Sequence, residues 1–256
     1  MESRAASVPR VERRPEHDPH EWSLASLGVR TVAWRGDRGM QIDQHRERLR
    51  ERIALLAALV EGAYVATIVS ASEPPAVPSG RMALLHDDIV SLSQEVQAEA
   101  TQFLVRFRPV ASDLHFATAV LGCCADLQVA AIAAARADEI GGEVAWALAK
   151  LEVPSLDRLV SCVYVVVSLM VDAVNEWDPS AVDAVGEARN EAIVVRDKVR
   201  AEVADAVVRA EMDGDAVMRI DAITCLLERI AAVSASCTRR LARIGPAAQI
   251  TEAMRA

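Results

Sequence analysis

The sequence predicts an all-α protein: two tandem antiparallel three-helix bundles built from six long helices. Three observations carry that reading. The 256 residues are 52% hydrophobic but only 4% aromatic, and they are rich in Ala, Val, Leu and Arg, which suits helices packed through small and aliphatic side chains. Apolar residues recur every three or four positions through long segments, the period of one helix face. Short breakers of Pro, Gly and Asp separate those segments, and the order of three long helices occurs twice.

Residues 1–39 carry seven arginines and six acids with no sustained apolar period. They read as a disordered N-terminal extension, or as sequence ahead of a start at Met40, with Trp22 and Trp34 as candidates for an interaction. The first repeat is placed at 40–142. Its first helix starts near Gln41, repeats through Leu49, Ile53, Leu56 and Val60 to about Ser70, and stops at Glu73-Pro74-Pro75. After Pro78-Ser79-Gly80 a second helix runs through Leu85, Ile89, Leu92, Val96 and Phe103, and ends before Pro109, because the residue preceding proline is pushed out of the α region. The third runs from about Val110 to Ile140, with Gly141-Gly142 as its terminator and an Ala-rich interior, Ala130 to Ala135, suited to close helix approach.

The second repeat is placed at 150–246 and has the same order. Its helices are expected at about Ser155 to Glu176, Pro179 to Met212 with an Asp178-Pro179 start, and from Asp213-Gly214-Asp215 to Ile244, stopped by Gly245-Pro246. A C-terminal tail, 247–256, follows. Laid on each other at an offset of 100 residues, the repeats put Asp113 on Asp213, Leu127 on Leu227 and Gln128 on Glu228, with few other identities.

A net charge of −9 and a pI near 5.1 argue against nucleic-acid binding, which needs a basic face to displace counterions. Cys123, Cys124, Cys162, Cys225 and Cys237 all lie in apolar helical patterns without a CxxC pair, and read as core thiols of a reducing cytoplasm. The most apolar run, Leu159 to Val174, is too short to span a bilayer and ends in Asn175-Glu176, so a soluble cytoplasmic protein without membrane insertion is expected. His17 and His20 sit with Glu16 and Asp18 in the extension, and His45, His86 and His115 are scattered over three helices. With no phosphate loop, GxSxG elbow or HExxH, no catalytic residue and no cofactor is assigned, and the chain is not expected to be an enzyme.

One stretch is more specific. In Arg108-Pro109-Val110-Ala111-Ser112-Asp113-Leu114, Pro109 ends one helix and pre-sets the next, and Ser112 and Asp113 put oxygens and a negative charge where the free N–H groups of the first turn point. This turn resembles the QPVASDLR-like turn of the PhoU family, which precedes a long third helix in two three-helix repeats. Arg108 replaces the family's glutamine, and His115 its arginine. Leu227-Glu228-Arg229-Ile230 matches the start of the family's LERIGDHA motif, and the resemblance spans about residues 41–246.

The resemblance implies a homodimeric negative regulator of phosphate uptake and phosphate-starvation signalling. The partners it implies are a phosphate ABC transporter and a sensor histidine kinase. It also implies multinuclear metal held by carboxylate pairs one helical turn apart, since oxygen ligands at i and i+4 converge on one cation. Here both pairs are broken: Gln128 and Ile132 occupy the first, and Glu228 is followed by Ala231 and Ala232 in the second. No metal is therefore assigned. Asp126 and Glu228 remain as weak residual candidates for a shared site, and solvated or capping acids are the simpler reading of both.

Overall fold

A computed structural model describes residues 33–72, 81–110, 112–148 and 153–244, in which six helices and no strand are found. They are α1 (Ala33–Ser72), α2 (Arg81–Phe107), α3 (Ser112–Leu148), α4 (Pro154–Glu176), α5 (Ala181–Val208) and α6 (Gly214–Ala242). α1 buries the stripe its sequence period predicts, and α4 and α6 each bury a stripe of the same spacing. Leu49, Ile53, Leu56, Val60 and Tyr64 are enclosed on α1, Leu159, Val163, Val166, Met170 and Val174 on α4, and Ile220, Ile223, Leu227, Ile230 and Leu241 on α6. Burying such side chains contributes about 1.5–3 kcal/mol each, which outweighs any weakness in local helix propensity.

The buried residues of all six helices form one continuous apolar core. α3 runs along α6, α2 packs on α3, and α4 packs on both α5 and α6. Two hydroxyls tie α1 into this core: Tyr64 donates to the Val160 carbonyl of α4 at 2.9 Å, and Thr67 to the Ala134 carbonyl of α3 at 3.2 Å. The second contact requires backbone approach, and it falls on the alanine stripe of α3, where Ala130, Ala131, Ala133 and Ala134 are buried.

Helix ends depart from the sequence reading in four places. α1 begins at Ala33, so residues 33–39 are helical and a boundary at Met40 falls inside the helix. Gly36 and Gly39 weaken that first part by about 1 kcal/mol each but do not stop it. α3 does not end at Gly141-Gly142 but continues to Leu148, because two glycines followed by helix-forming residues, with no proline before Pro154, slow a helix without breaking it.

α5 starts at Ala181 rather than Pro179. Asp178 makes a turn of its own just ahead, its carboxylate accepting from the Ser180 N–H at 2.8 Å and hydroxyl at 2.9 Å, with Pro179 inside the turn. The same helix stops at Val208, not Met212, where Ala210 takes φ 56° and the Glu211 N–H reaches back to the Ala206 carbonyl at 3.0 Å. Asp213 then caps α6 as its sequence position predicts, accepting from Ala216 N at 2.8 Å, and α6 ends at Ala242 with Ile244 in the following turn.

Other expectations fall outside the described residues: those on 1–32, including Trp22, His17 and His20; the breakers between Glu73 and Gly80; Ala111; and Gly245-Pro246 with the tail at 247–256. Two expectations on apolar content are corrected. Ser112–Gly141 of α3 and all of α4 are long and apolar enough to cross a membrane, although about half of each is buried against other helices. Of the cysteines, Cys123, Cys124 and Cys237 are buried, but Cys162 is half-buried and Cys225 is exposed, on the outer face of α6.

Candidate functional site

The turn before α3 is a joint between three helices. Arg108 ends α2 with φ 45°, its N–H bonded to the Leu104 carbonyl at 3.1 Å, and Val110 and Leu114 are solvent-exposed. Ser112 is buried at the start of α3. Asp113, expected as a first-turn cap, instead directs its carboxylate to Arg46 of α1 at 2.9 Å. The Arg46 guanidinium also lies over the Phe116 ring at 5.0 Å, and Arg50, one turn on, over the Trp177 ring at 5.1 Å. Phe116 and Trp177 are 5.2 Å apart, so charge and aromatic contacts together fix the middle of α1 to the start of α3 and the end of α4.

The second motif divides by face. Leu227 and Ile230 are core and Arg229 is exposed, while Glu228 accepts a hydrogen bond from Arg196 of α5. Arg196 also holds Asp197 at 2.7 Å, and these two carboxylates, Asp197 first, push the guanidinium's pKa up. At the offset position of the first repeat, Gln128 makes only a neutral contact: Gln97 donates to its carbonyl at 3.4 Å and to Ser93 at 3.3 Å, and Ser93 meets Cys124 at 2.9 Å.

Asp126 has a cation of its own. Its carboxylate, only 14% exposed, accepts from Arg240 Nε of α6 at 2.7 Å, a bond that raises the Arg240 pKa. The guanidinium lies against Gly122, where an added Cβ would stand 2.7 Å from Nη1 and 2.8 Å from Cδ. Gly122 thus makes the space in which Arg240 crosses from α6 to α3.

The two residual acids are therefore not brought to one site; each has its own arginine. Ile132 and the half-buried Ala232 supply no ligand atom, and among the described residues no group of three or more His, Cys, Asp or Glu side chains is placed to hold a metal ion. This donor set does not fit the metal cluster that the sequence resemblance implies, because the charge that offsets dehydration of a divalent ion is already taken by guanidinium. Sequence reasoning missed Arg196 and Arg240. A lone arginine on a helix carries no motif, and only the unexplained Gly122 inside an apolar helix hinted at a large group opposite.

No protein-family model matches the sequence, and no curated protein matches it. Among solved structures, the crystal structure of PhoU from Pseudomonas aeruginosa superposes with a TM-score of 0.65 at 13% identity, covering 83% of this chain and 99% of that one. The fold is PhoU-like. Within it, α3 and α6 are the third helices of the two repeats and lie side by side, and the Asp126–Arg240 bond closes their seam.

Proposed function

We propose that this chain is a PhoU-like regulator of phosphate uptake and phosphate-starvation signalling, acting in the cytoplasm by protein contacts rather than by catalysis or bound metal. The observation that carries the reading is the conjunction of the PhoU-like fold with the Pro109-to-Leu114 turn at the start of α3. The partners are a phosphate ABC transporter and its sensor histidine kinase, and the acting form is a homodimer. An acidic chain with no catalytic constellation suits a scaffold that restrains other proteins, and arginines seated on Asp126 and Glu228 leave it no need of a metal.

The test is co-purification of tagged full-length chain from phosphate-replete and phosphate-starved cells. Recovery of the transporter ATPase and the kinase, stronger from replete cells, supports the assignment. Consistent recovery of a different transporter or kinase would move the chain to another pathway on the same scaffold, and recovery of neither would remove the assignment.

A further inference from the structure

The two repeats differ at the face where the resemblance places acids. In the second repeat the space between α5 and α6 is closed around Arg196 and Glu228, leaving a cavity of only about 10 Å³ beside Leu159 and Ala231. In the first repeat, where Gln128 and Ile132 stand instead, a cavity of about 540 Å³ opens between α2 and α3. That volume lies within the range of small-molecule sites, about 300–1,000 Å³.

Its walls are aliphatic: Met82, Ile89, Ala131 and Ile132, with Ile132 half-exposed at the mouth. Among the described residues no Phe, Tyr or Trp side chain lines it, so it suits a flexible chain better than a stacked ring. The polar groups along it are His86, Gln128 and Arg136. His86 lines the cavity on the α2 side, while its Nδ1 is turned away into the protein, buried with no hydrogen-bond partner. Arg136 bonds Glu139 at 2.6 Å, but both side chains are more than half exposed, and a surface pair of that kind exchanges readily for another carboxylate. A partly open apolar cavity edged by a cation is complementary to an alkyl chain with an acidic head.

We propose that the cavity between α2 and α3 binds a medium-chain alkyl carboxylate, its chain against Met82, Ile89 and Ile132 and its head toward Arg136. The inference stands on the cavity and its lining and does not depend on the regulatory partners. Ligand that binds only the folded state stabilises it by RT ln(1 + L/Kd), L being the free ligand concentration, and so raises the unfolding temperature with concentration. Full-length protein is therefore titrated with decanoate below its micellar concentration, followed by thermal unfolding and calorimetry, with decanol as the headless control.

The expected result is saturable binding of one decanoate per chain with a rising Tm, lost in Ala135→Trp and Ile132→Trp, which fill the cavity from partly exposed positions. Circular dichroism of these variants checks that the helices are kept. Arg136→Gln is expected to weaken decanoate at least several-fold and leave decanol unchanged. Absence of saturable binding overturns the proposal, as does equal binding in the filled variants. So does an Ile132→Trp variant that turns a dimer into a monomer while decanoate has no effect, because the cavity is then covered by a second copy of the chain.

Discussion

At the residue scale, Gly122, Asp126 and Arg240 form one device. A glycine in a helix interior ordinarily costs about 1 kcal/mol relative to alanine, and here it makes room for a guanidinium that neutralises a largely buried carboxylate on the neighbouring helix. The Gly122→Ala substitution is therefore expected to gain nothing in the intact protein, because the new methyl displaces Arg240 from Asp126. In an Arg240→Ala background the same substitution should stabilise by about 1 kcal/mol, its ordinary helix value. Urea unfolding of the four proteins of this cycle decides it, and equal stabilisation in both backgrounds would show that Arg240 moves aside without loss. The acid was legible in the sequence but its partner was not. Asp126 and Arg240 are separated by 114 positions, and nothing local marks which arginine crosses the seam.

At the element scale, sequence period marked the buried faces of α1 and α2, while helix ends followed the sequence only where a strong local signal existed. Pro109 and the Asp213 cap behave as read; Gly141-Gly142 and the end of α5 do not. The α5 stop rests on Ala210 in the left-handed region, a conformation that alanine does not advertise. The helix faces also bury ionisable groups. Burial raises the pKa of Cys124 and of Tyr64, and the Cys237 thiol is pushed up first by its contact with Cys123 and then by burial.

In the unfolded chain thiols ionise near pH 8.5, roughly, whereas in the fold these stay neutral to higher pH. The folded state then holds more protons than the unfolded one, so stability is full below about pH 8.5 and falls as pH rises beyond it. Urea unfolding midpoints measured between neutral and strongly alkaline pH should decline along this course, and a Cys124→Ala, Cys237→Ala variant should decline less steeply. An unchanged slope would mean that these thiols are not the groups that titrate.

At the scale of the whole molecule, six helices and their order were readable because each buries one face against others in a single core. What the scaffold carries at its acidic positions was only half readable. The broken carboxylate pairs at Gln128, Ile132 and Ala232 are visible in the sequence, but only the fold shows arginines seated on the acids that remain, Asp126 by Arg240 and Glu228 by Arg196. One of these bonds, Asp126–Arg240, joins the two repeats, and the other, Glu228–Arg196, lies within the second; with both acids neutralised in this way, the PhoU-like scaffold is expected to work without a metal cluster. Elemental analysis of full-length protein purified without chelators tests it most directly. The account predicts well under one tightly bound transition metal per chain; stoichiometric metal would contradict it.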